Sequence, residues 1–215
     1  MARPRTFDEC DVVAAARDEF WKRGYAATSV DDLTAATGLG KGSLYGAFGD
    51  KHSLYLRALD EYIASSLDEV RASLRDPAFG AYRRLNRHLR GQARMLVADK
   101  QRRGCLMAKS AAELGATDDA VEAKVANAYR VWRDELAECI EEAQRDGDVD
   151  AQQDPQALAG ALLAFMRGQE ALHKGGATPA HLRSAADEMV SLIPTAQAAA
   201  ASTPEATTQI ARLVE

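Results

Sequence analysis

The sequence predicts an all-α protein of about nine helices, and three observations lead to this prediction. Apolar residues recur every three to four positions along most of the 215-residue chain, as on the buried face of an amphipathic helix. Alanine is abundant, whereas Val, Ile, Phe and Tyr are sparse, a composition that favours helices over strands. No segment shows the alternation of apolar and polar residues expected of a half-buried strand.

Four helices are predicted in the first 77 residues, and residues that favour helix ends bound them. Helix 1 has helical apolar spacing and stops at Gly24. Ser29 and Asp50 are suitable N-caps for helices 2 and 4, and helix 4 runs until Asp76-Pro77. Helices 2 and 3 are predicted over residues 30–37 and 41–48.

Four or five further helices follow, with a polar loop "RDGDVDAQQDP" between two of them. Their predicted ranges are 80–98, 104–114, 118–145, 155–173 and 179–192. The helices therefore divide the chain into an N-terminal region over residues 1–57 and a second helical region over residues 58–195. Residues 196–215, "AQAAAASTPEATTQIARLVE", are predicted to form a weakly ordered tail.

The composition is that of a soluble globular protein, with 47% hydrophobic and 27% charged residues. The formal net charge is −5, so the chain as a whole is not a basic nucleic-acid binder. Residues 1–57 contain eight basic and eight acidic side chains, and the rest of the chain therefore carries the entire excess of acids. A surface that binds DNA must come from the local arrangement of charges.

Three widely spaced cysteines, Cys10, Cys105 and Cys139, indicate neither a disulfide framework nor a zinc site. His173 and His181 have no partner at the spacing of metal ligands, so we predict no metal and no other cofactor. Because no signal core or membrane span is visible, the protein is expected to be cytoplasmic, without a membrane partner.

The stretch "TGLGKGSLYGAFGDK", residues 37–51, raises the question of a phosphate-binding loop. In such a loop the lysine follows the last glycine, and a buried strand precedes the motif. Here Lys41 precedes Gly42, and the preceding segment is an amphipathic helix. Two short helices joined by a glycine-containing turn predict a helix-turn-helix instead, with Leu44 and Phe48 anchoring the second helix.

The residues from Phe20 to Leu54 follow the pattern F-x-x-x-G-Y-x-x-T-S-V-x-x-L-x-x-x-x-G-x-x-K-G-S-L-Y-x-x-F-x-x-K-x-x-L. This segment resembles the DNA-binding domain of the tetracycline-repressor (TetR) family of bacterial regulators. The resemblance implies an all-helical homodimer. Residues 1–57 would be the helix-turn-helix domain that binds duplex operator DNA, and residues 58–195 the domain that binds a small effector and forms the dimer.

By position in this pattern, Lys41 and Gly42 fall where the family contacts bases. Phosphate contacts are expected from Thr28, Ser43, Tyr45 and Lys51, and Ser29 and His52 complete the predicted DNA-binding set. Tyr45 could instead be a core aromatic residue. Gly46 and Ala47 stand where relatives often carry larger side chains, so base readout could rest on few side chains or on Arg3 and Arg5 in a minor groove.

The segment "RRGCLMAKSAAEL", residues 102–114, resembles a branch of the family with a G-C-L segment opening the sixth helix. Cys105 would lie at that helix N-terminus beside Arg102 and Arg103, where a thiol pKa is lowered. Some relatives in this branch, including a repressor that senses reactive electrophiles, use the equivalent cysteine as a trigger near a lysine, here Lys174. The alternative is that Cys105 is a buried packing residue.

Two further sets of residues are predicted in the second domain. Aromatic, methionine and amide side chains suited to an apolar effector pocket are Met107, Tyr129, Trp132, Phe165, Met166 and Gln169. Two apolar stripes on the last two helices would form the four-helix dimer interface that the resemblance implies, through Ala157, Ala161, Leu162, Leu182, Ala186, Met189 and Ile193.

These observations favour a transcriptional regulator, a repressor released from a palindromic operator by a small molecule or a reactive electrophile. A helical adaptor without DNA binding is an alternative, because the charges of residues 1–57 balance. A helical enzyme is a weaker alternative: no nucleophile–base pair, metal cluster or cofactor loop supports it. We therefore expect no enzymatic activity.

Overall fold

A computed structural model describes residues 7–196 of the chain. Within this range it contains nine α-helices and no β-strand, only an isolated bridge between Val149 and Thr195. The predicted arm with Arg3 and Arg5 lies outside the described residues, as does the predicted tail apart from its first residue. The helices are α1 Glu9–Arg23, α2 Val30–Thr37, α3 Lys41–Phe48, α4 Lys51–Leu74, α5 Ala81–Ala98, α6 Leu106–Leu114, α7 Asp119–Arg145, α8 Pro155–Lys174 and α9 Pro179–Ser191.

Local signals fix the ends of the helices around the predicted helix-turn-helix. The Ser29 hydroxyl accepts from the backbone N–H of Asp32, whose carboxylate accepts from the Ser29 backbone in return, so a capping box starts α2. Gly38 ends α2 with a φ of 69°, a left-handed conformation that favours glycine. The Asp50 carboxylate accepts from the backbone N–H of Ser53, 2.7 Å away, and starts α4. The predicted ranges of α2 and α3 are confirmed.

One continuous apolar core runs from α1 to the end of α9. The long helix α4 packs against α1, α5, α6 and α7, and it therefore belongs to both halves of the molecule. The predicted domain boundary after residue 57 falls inside this helix. A displacement of α4 at one end would thus be transmitted to its other end.

Helix α6 begins two residues later than predicted, because the conformation of the preceding segment is not helical. Gly104 has a φ of 66°, and Cys105 is the extended N-cap residue before Leu106. The Gly104 carbonyl accepts a hydrogen bond of 2.7 Å from the indole N–H of Trp21. The G-C-L segment is therefore attached directly to α1.

Two charged side chains of α6 extend this attachment to the end of α1. The Lys109 ammonium donates to the Trp21 carbonyl over 2.5 Å, at a helix end where carbonyl groups lack intrahelical partners. The Glu113 carboxylate accepts from the backbone N–H of Tyr25 over 2.7 Å. Contacts of α6 therefore place the predicted DNA-binding half against the predicted effector-binding half.

Most residues of the two apolar stripes of α8 and α9 face the interior of their own protomer. Helix α8 packs on α7 and α9 packs on α5, and these contacts bury most of the predicted dimer residues. The buried ones, which have no surface left for a second subunit, are Leu162, Leu182, Ala186 and Ile193. Of the remaining predicted residues, Ala157 and Ala161 are exposed and Met189 is half-buried. Periodicity finds apolar stripes but cannot tell an internal contact from an interface.

Candidate nucleic-acid interface and internal cavity

The turn between α2 and α3 fixes the orientation of the third helix. Leu33 of α2 and Leu44 and Phe48 of α3 are buried in the core. The opposite surface of α3, with Lys41, Gly42 and Ser43, is exposed to solvent. This is the geometry of a helix-turn-helix, in which one face of the second helix is free to enter a DNA groove.

Glycines leave part of this exposed face without side chains. Gly42 and Gly46 lie four residues apart on α3, and both are exposed. A Cβ placed on either would have no neighbour within 4 Å outside its own helix, among the described residues. Packing within the protomer therefore does not require a glycine at either position, although glycine costs helix stability.

Polar side chains surround the glycines at the two ends of α3. Ser43 is exposed beside Gly42, and Tyr45 is half-buried with its ring centroid 5.8 Å from the Lys41 ammonium. Lys51, in the first turn of α4, lies 4.3 Å above the ring centroid of Tyr25. Partial burial lowers the pKa of Lys51, and the nearby Glu113 carboxylate opposes this shift. Positively charged side chains and hydroxyl groups are therefore found on α3 and in the first turn of α4.

Three of the predicted DNA-binding residues are engaged within the protein. Thr28 is 0% exposed and donates its hydroxyl hydrogen to the Gly24 carbonyl over 2.6 Å, so its side chain is not on the surface. His52 Nε2 lies 2.5 Å from a carboxylate oxygen of Asp118, the N-cap of α7, and this contact lowers the pKa of Asp118. Ser29 is exposed, but its hydroxyl forms the capping box of α2.

A cavity of about 530 Å³ lies between α1, α4, α5, α7, α8 and the start of α6. Its volume is within the range of small-molecule sites. Cys105, Met107 and Trp132 of the predicted pocket line it. The predicted residues that do not are Tyr129, Phe165, Met166, Gln169 and Lys174.

Four of these five side chains have other positions in the fold. Met166 and Gln169 are buried on the inner face of α8, and the Gln169 amide donates to the Leu182 carbonyl over 2.9 Å, which joins α8 to α9. Phe165 is half-buried and packs against the apolar core. The ring centroid of Tyr129 lies 6.0 Å from the Arg167 guanidinium.

Cys105 is in the cavity wall, but its surroundings do not stabilise a thiolate. Burial raises the pKa of this thiol, and the Glu170 carboxylate adds to the rise, although the Arg167 guanidinium opposes it. The Arg103 guanidinium is directed to the Trp21 ring, 4.0 Å from its centroid. The expectation of a lowered thiol pKa is therefore wrong.

Lys174 lies close to the G-C-L segment, as expected. A Cβ placed on Gly104 would be 2.9 Å from Lys174 Cε, so the lysine stem covers the glycine. Arg102 is turned toward the loop after α8, where its Nη1 lies 3.8 Å from a Cβ placed on Gly176.

Three polar residues of the cavity wall are absent from the predicted pocket: Glu170 and His88, which are buried, and Arg167, which is half-buried. Arg167 lies with its guanidinium 4.6 Å from the Trp132 ring centroid. The Trp132 indole donates to His88 Nε2 over 3.2 Å, and burial lowers the pKa of His88 to about 4. The sequence contains one signal that could have identified such residues: a charged residue within an otherwise apolar helical stripe is expected to be buried and paired.

In the part of the chain that the structure describes, no group of His, Cys, Asp and Glu side chains could hold a metal ion. None of the described helices is long and apolar enough to cross a membrane.

Comparison with known proteins gives two family matches. Residues 12–58 match the model described as "Bacterial regulatory proteins, tetR family", and residues 81–203 match "Tetracyclin repressor-like, C-terminal domain". The transcriptional repressor DhaR of Mycobacterium sp. (strain GP1) is 28% identical over 149 residues, 69% of this chain and 73% of that protein. The transcriptional regulator AcuR of Cereibacter sphaeroides is 30% identical over 160 residues, 73% of this chain and 72% of that protein.

Solved structures show the same architecture. A cysteine mutant of the regulator CifR, complexed with 26-bp double-strand operator DNA, aligns with a TM-score of 0.74 at 28% identity, over 90% of this chain and 100% of that one. Reduced NemR of E. coli, at 18% identity and a TM-score of 0.78, shares the fold over 86% of this chain and 96% of that one. Because the C-terminal family model alone spans residues 81–203, more than half of the sequence, the chain belongs to the tetR family of DNA-binding transcriptional regulators.

Proposed function

We propose that the protein is a repressor that binds a palindromic operator as a homodimer and is released when a small molecule enters the internal cavity. The observation that carries the proposal is the exposed face of α3, with its two glycines, above a buried anchor of Leu44 and Phe48. The similarity to the transcriptional repressor DhaR and to CifR, which was solved in complex with operator DNA, supports it. Such a protein acts on the chromosome, in the cytoplasm, and needs no catalytic group.

The proposed DNA contacts divide by type. Lys41 and Gly42 contact base edges, and Ser43, Tyr45 and Lys51 contact phosphates and fix the orientation of the helix. Ser29, the N-cap of α2, is exposed, and we include it among the proposed contacts. Thr28 and His52 act by positioning, through the Gly24 carbonyl and the Asp118 carboxylate.

The proposed dimer interface uses the face of α8 that the protomer leaves exposed. Small residues follow one another on this face at positions 157, 161, 164 and 168, and allow a partner helix to approach closely. Leu172 of α8 is 49% exposed and Leu192, after α9, is 64% exposed. Two copies of α8 and α9 would cover both leucines and form a four-helix interface.

The experiment is selection of genomic DNA fragments that the full-length protein retains, followed by affinity measurements at several salt concentrations. A palindromic consensus and an affinity that falls steeply with salt would support the proposal. Lys51→Ala should reduce the slope of log K against log salt by about one unit, since one phosphate contact is lost. Arg90→Ala is the matched control, because Arg90 is paired with Asp187 on α9, far along the chain from α3, and should leave the slope unchanged.

Absence of salt-dependent binding to any fragment would instead favour the adaptor alternative. An unchanged slope for Lys51→Ala would remove Lys51 from the phosphate contacts while leaving the proposed function intact.

A further inference from the structure

Three hydrogen-bonded side chains from three helices form part of the cavity wall. The Trp132 indole of α7 donates to Nε2 of His88 on α5 over 3.2 Å, and His88 Nδ1 lies 3.2 Å from the hydroxyl oxygen of Ser73 on α4. All three residues line the cavity. Trp132 and His88 are buried, whereas Ser73 is half-buried and is therefore the most accessible of the three.

The direction of each of these hydrogen bonds is determined. An indole N–H can only donate, so His88 Nε2 must be the ring nitrogen without a proton. Burial lowers the pKa of His88 to about 4, and near neutral pH the ring therefore carries a single proton, on Nδ1. The Nδ1–H group thus donates to the Ser73 oxygen. The hydrogen of the Ser73 hydroxyl is left for a different acceptor.

No described residue supplies that acceptor. Other hydroxyl groups within helices of this protein donate to the carbonyl one turn earlier, as Ser110 does to Leu106 and Thr37 does to Leu33, both over 2.7 Å. Ser73 forms no such bond with any residue that the structure describes. Its hydroxyl is therefore a donor at the cavity wall that a ligand can use.

A second polar group lies one turn further along α5. Gln92, four residues after His88, lines the same cavity and forms no hydrogen bond with a described residue. Side chains four residues apart lie on the same face of a helix. The Gln92 amide is half-buried and, unlike the enclosed amide oxygen of Gln169, keeps accessible surface. A ligand that accepts from Ser73 therefore lies close to an accessible amide as well.

The charges of the cavity wall favour a neutral ligand. Three arginines line the cavity, and each has an acidic partner: Arg17 with Glu61 at 2.8 Å, Arg103 with Asp99 at 3.7 Å, and Arg167 with Glu170 at 2.8 Å. Glu69, which also lines the cavity, is exposed and has no ion-pair partner among the described residues. A bound anion would thus lose hydration without meeting an unpaired cation.

The rest of the wall is suited to an aromatic ligand. The rings of Trp21, Tyr62 and Trp132 line the cavity, together with Leu96 and Met107. Aromatic side chains bury the rings of a ligand by offset stacking and edge contacts. The wall therefore combines an aromatic surface with one directed hydrogen-bond donor.

We propose that the cavity binds a neutral aromatic carbonyl compound, an aryl ketone or ester, whose oxygen accepts from the Ser73 hydroxyl. His88 and Trp132 are positioning residues, because they orient that hydroxyl, and the Gln92 amide is a second contact for the polar end of the ligand. The inference rests on the proposed function, because it specifies the chemical class of the effector. Binding is non-covalent and does not involve the Cys105 thiol.

Three probes of similar size test the proposal by calorimetric titration of the full-length protein near neutral pH: acetophenone, benzoate and ethylbenzene. Each has a benzene ring, and they differ in carrying a neutral acceptor, a charged acceptor or no acceptor. Acetophenone should bind at least about fivefold more tightly than either of the others, since a polar group of the wall that stays unpaired weakens binding. Binding of benzoate or ethylbenzene as tight as that of acetophenone, or no binding of any probe, would overturn the proposal.

Replacement of Ser73 provides a second readout. Ser73→Ala removes the donor and should abolish the preference for acetophenone over ethylbenzene, whereas Ser73→Thr retains a hydroxyl and should keep it. Ser184→Ala is the matched control, because Ser184 is an exposed serine of α9 that does not line the cavity. Circular dichroism would show whether the helices are retained. A folded Ser73→Ala variant that still prefers acetophenone would also overturn the proposal.

Trp132→Phe tests the positioning role separately. This variant keeps an aromatic ring but removes the indole N–H, so His88 Nε2 can carry the proton and Nδ1 can accept from Ser73. The hydroxyl is then no longer directed to the ligand, and the preference for acetophenone over ethylbenzene should decrease even if both probes bind more weakly. An unchanged ratio of the two affinities would show that Trp132 does not orient the donor.

Operator binding, measured in parallel, separates the two hypotheses. If acetophenone binds with the expected preference without releasing DNA, the assigned ligand class stands and the effector role fails. If the wild-type protein binds no operator, the proposed function fails whatever the ranking of the probes.

Discussion

Replacement of Gly46 by alanine should stabilise the protein and weaken its binding to the operator. Gly46 lies in the last turn of α3, is exposed, and has open space where a Cβ would be. An exposed helical glycine costs about 1 kcal/mol relative to alanine. For a chain of this size, that gain corresponds to a rise in Tm of about 2–4 °C.

The effect on DNA binding has the opposite sign, because the new methyl group points into the surface that we assign to the groove. A Cβ extends about 1.5 Å from the backbone, a distance in the range of a single covalent bond. Displacement of α3 by this amount would stretch hydrogen bonds at Lys41 and Ser43 beyond about 3.5 Å, where they no longer contribute. We expect a loss of about tenfold or more in operator affinity, or about 1.4 kcal/mol.

Thermal unfolding and fluorescence anisotropy with labelled operator measure the two effects on the same sample. Gly91→Ala on α5 is the control: a Cβ there would meet only the end of the Arg94 side chain, at 3.7 Å, so stability should rise without a change in DNA affinity. Operator affinity of Gly46→Ala equal to or above the wild-type value would refute the assignment of this face. A lower Tm would refute the helix-propensity argument.

Three further predictions concern the effector half. Ala161→Glu should give monomers in sedimentation while the fold is retained, because residue 161 is exposed. Leu162→Glu should instead unfold the protomer, because it would bury an unpaired charge. Dimers of Ala161→Glu would place the interface elsewhere. Burial lowers the pKa of His88 from 6.5 to about 4, so the unfolded chain binds a proton that the folded chain does not. The free energy of unfolding should therefore fall by about 3 kcal/mol from pH 6.5 to pH 4. In urea melts at several pH values, His88→Gln should lack this part of the pH dependence, and an unchanged pH dependence would show that His88 titrates normally. A thiol probe near neutral pH should modify the exposed Cys10 faster than Cys105, which is 5% exposed and has a raised pKa. Faster labelling of Cys105 would support the hypothesis that its thiolate acts as a trigger.

The sequence by itself determined the helices and the helix-turn-helix. The ends of α2 depend on a capping box at Ser29 and a left-handed glycine at position 38, and both are interactions within a few residues. The anchors Leu44 and Phe48 follow from helical spacing alone. These features could be predicted because the interactions that produce them are local, and the family pattern from Phe20 to Leu54 is made of the same residues.

The tertiary structure decided which side chains face the interior, and this depends on segments far apart in the chain. Ala161 and Leu162 are neighbours in the same apolar stretch, but the packing of α8 on α7 buries only the leucine. Cys105 has a helix N-terminus nearby, yet burial beside Glu170 raises the pKa of its thiol. Local sequence predicts Arg102 and Arg103 beside the thiol, whereas the cation that acts on it is Arg167 of α8, far along the chain. In this buried site the loss of hydration outweighs the attraction of that charge.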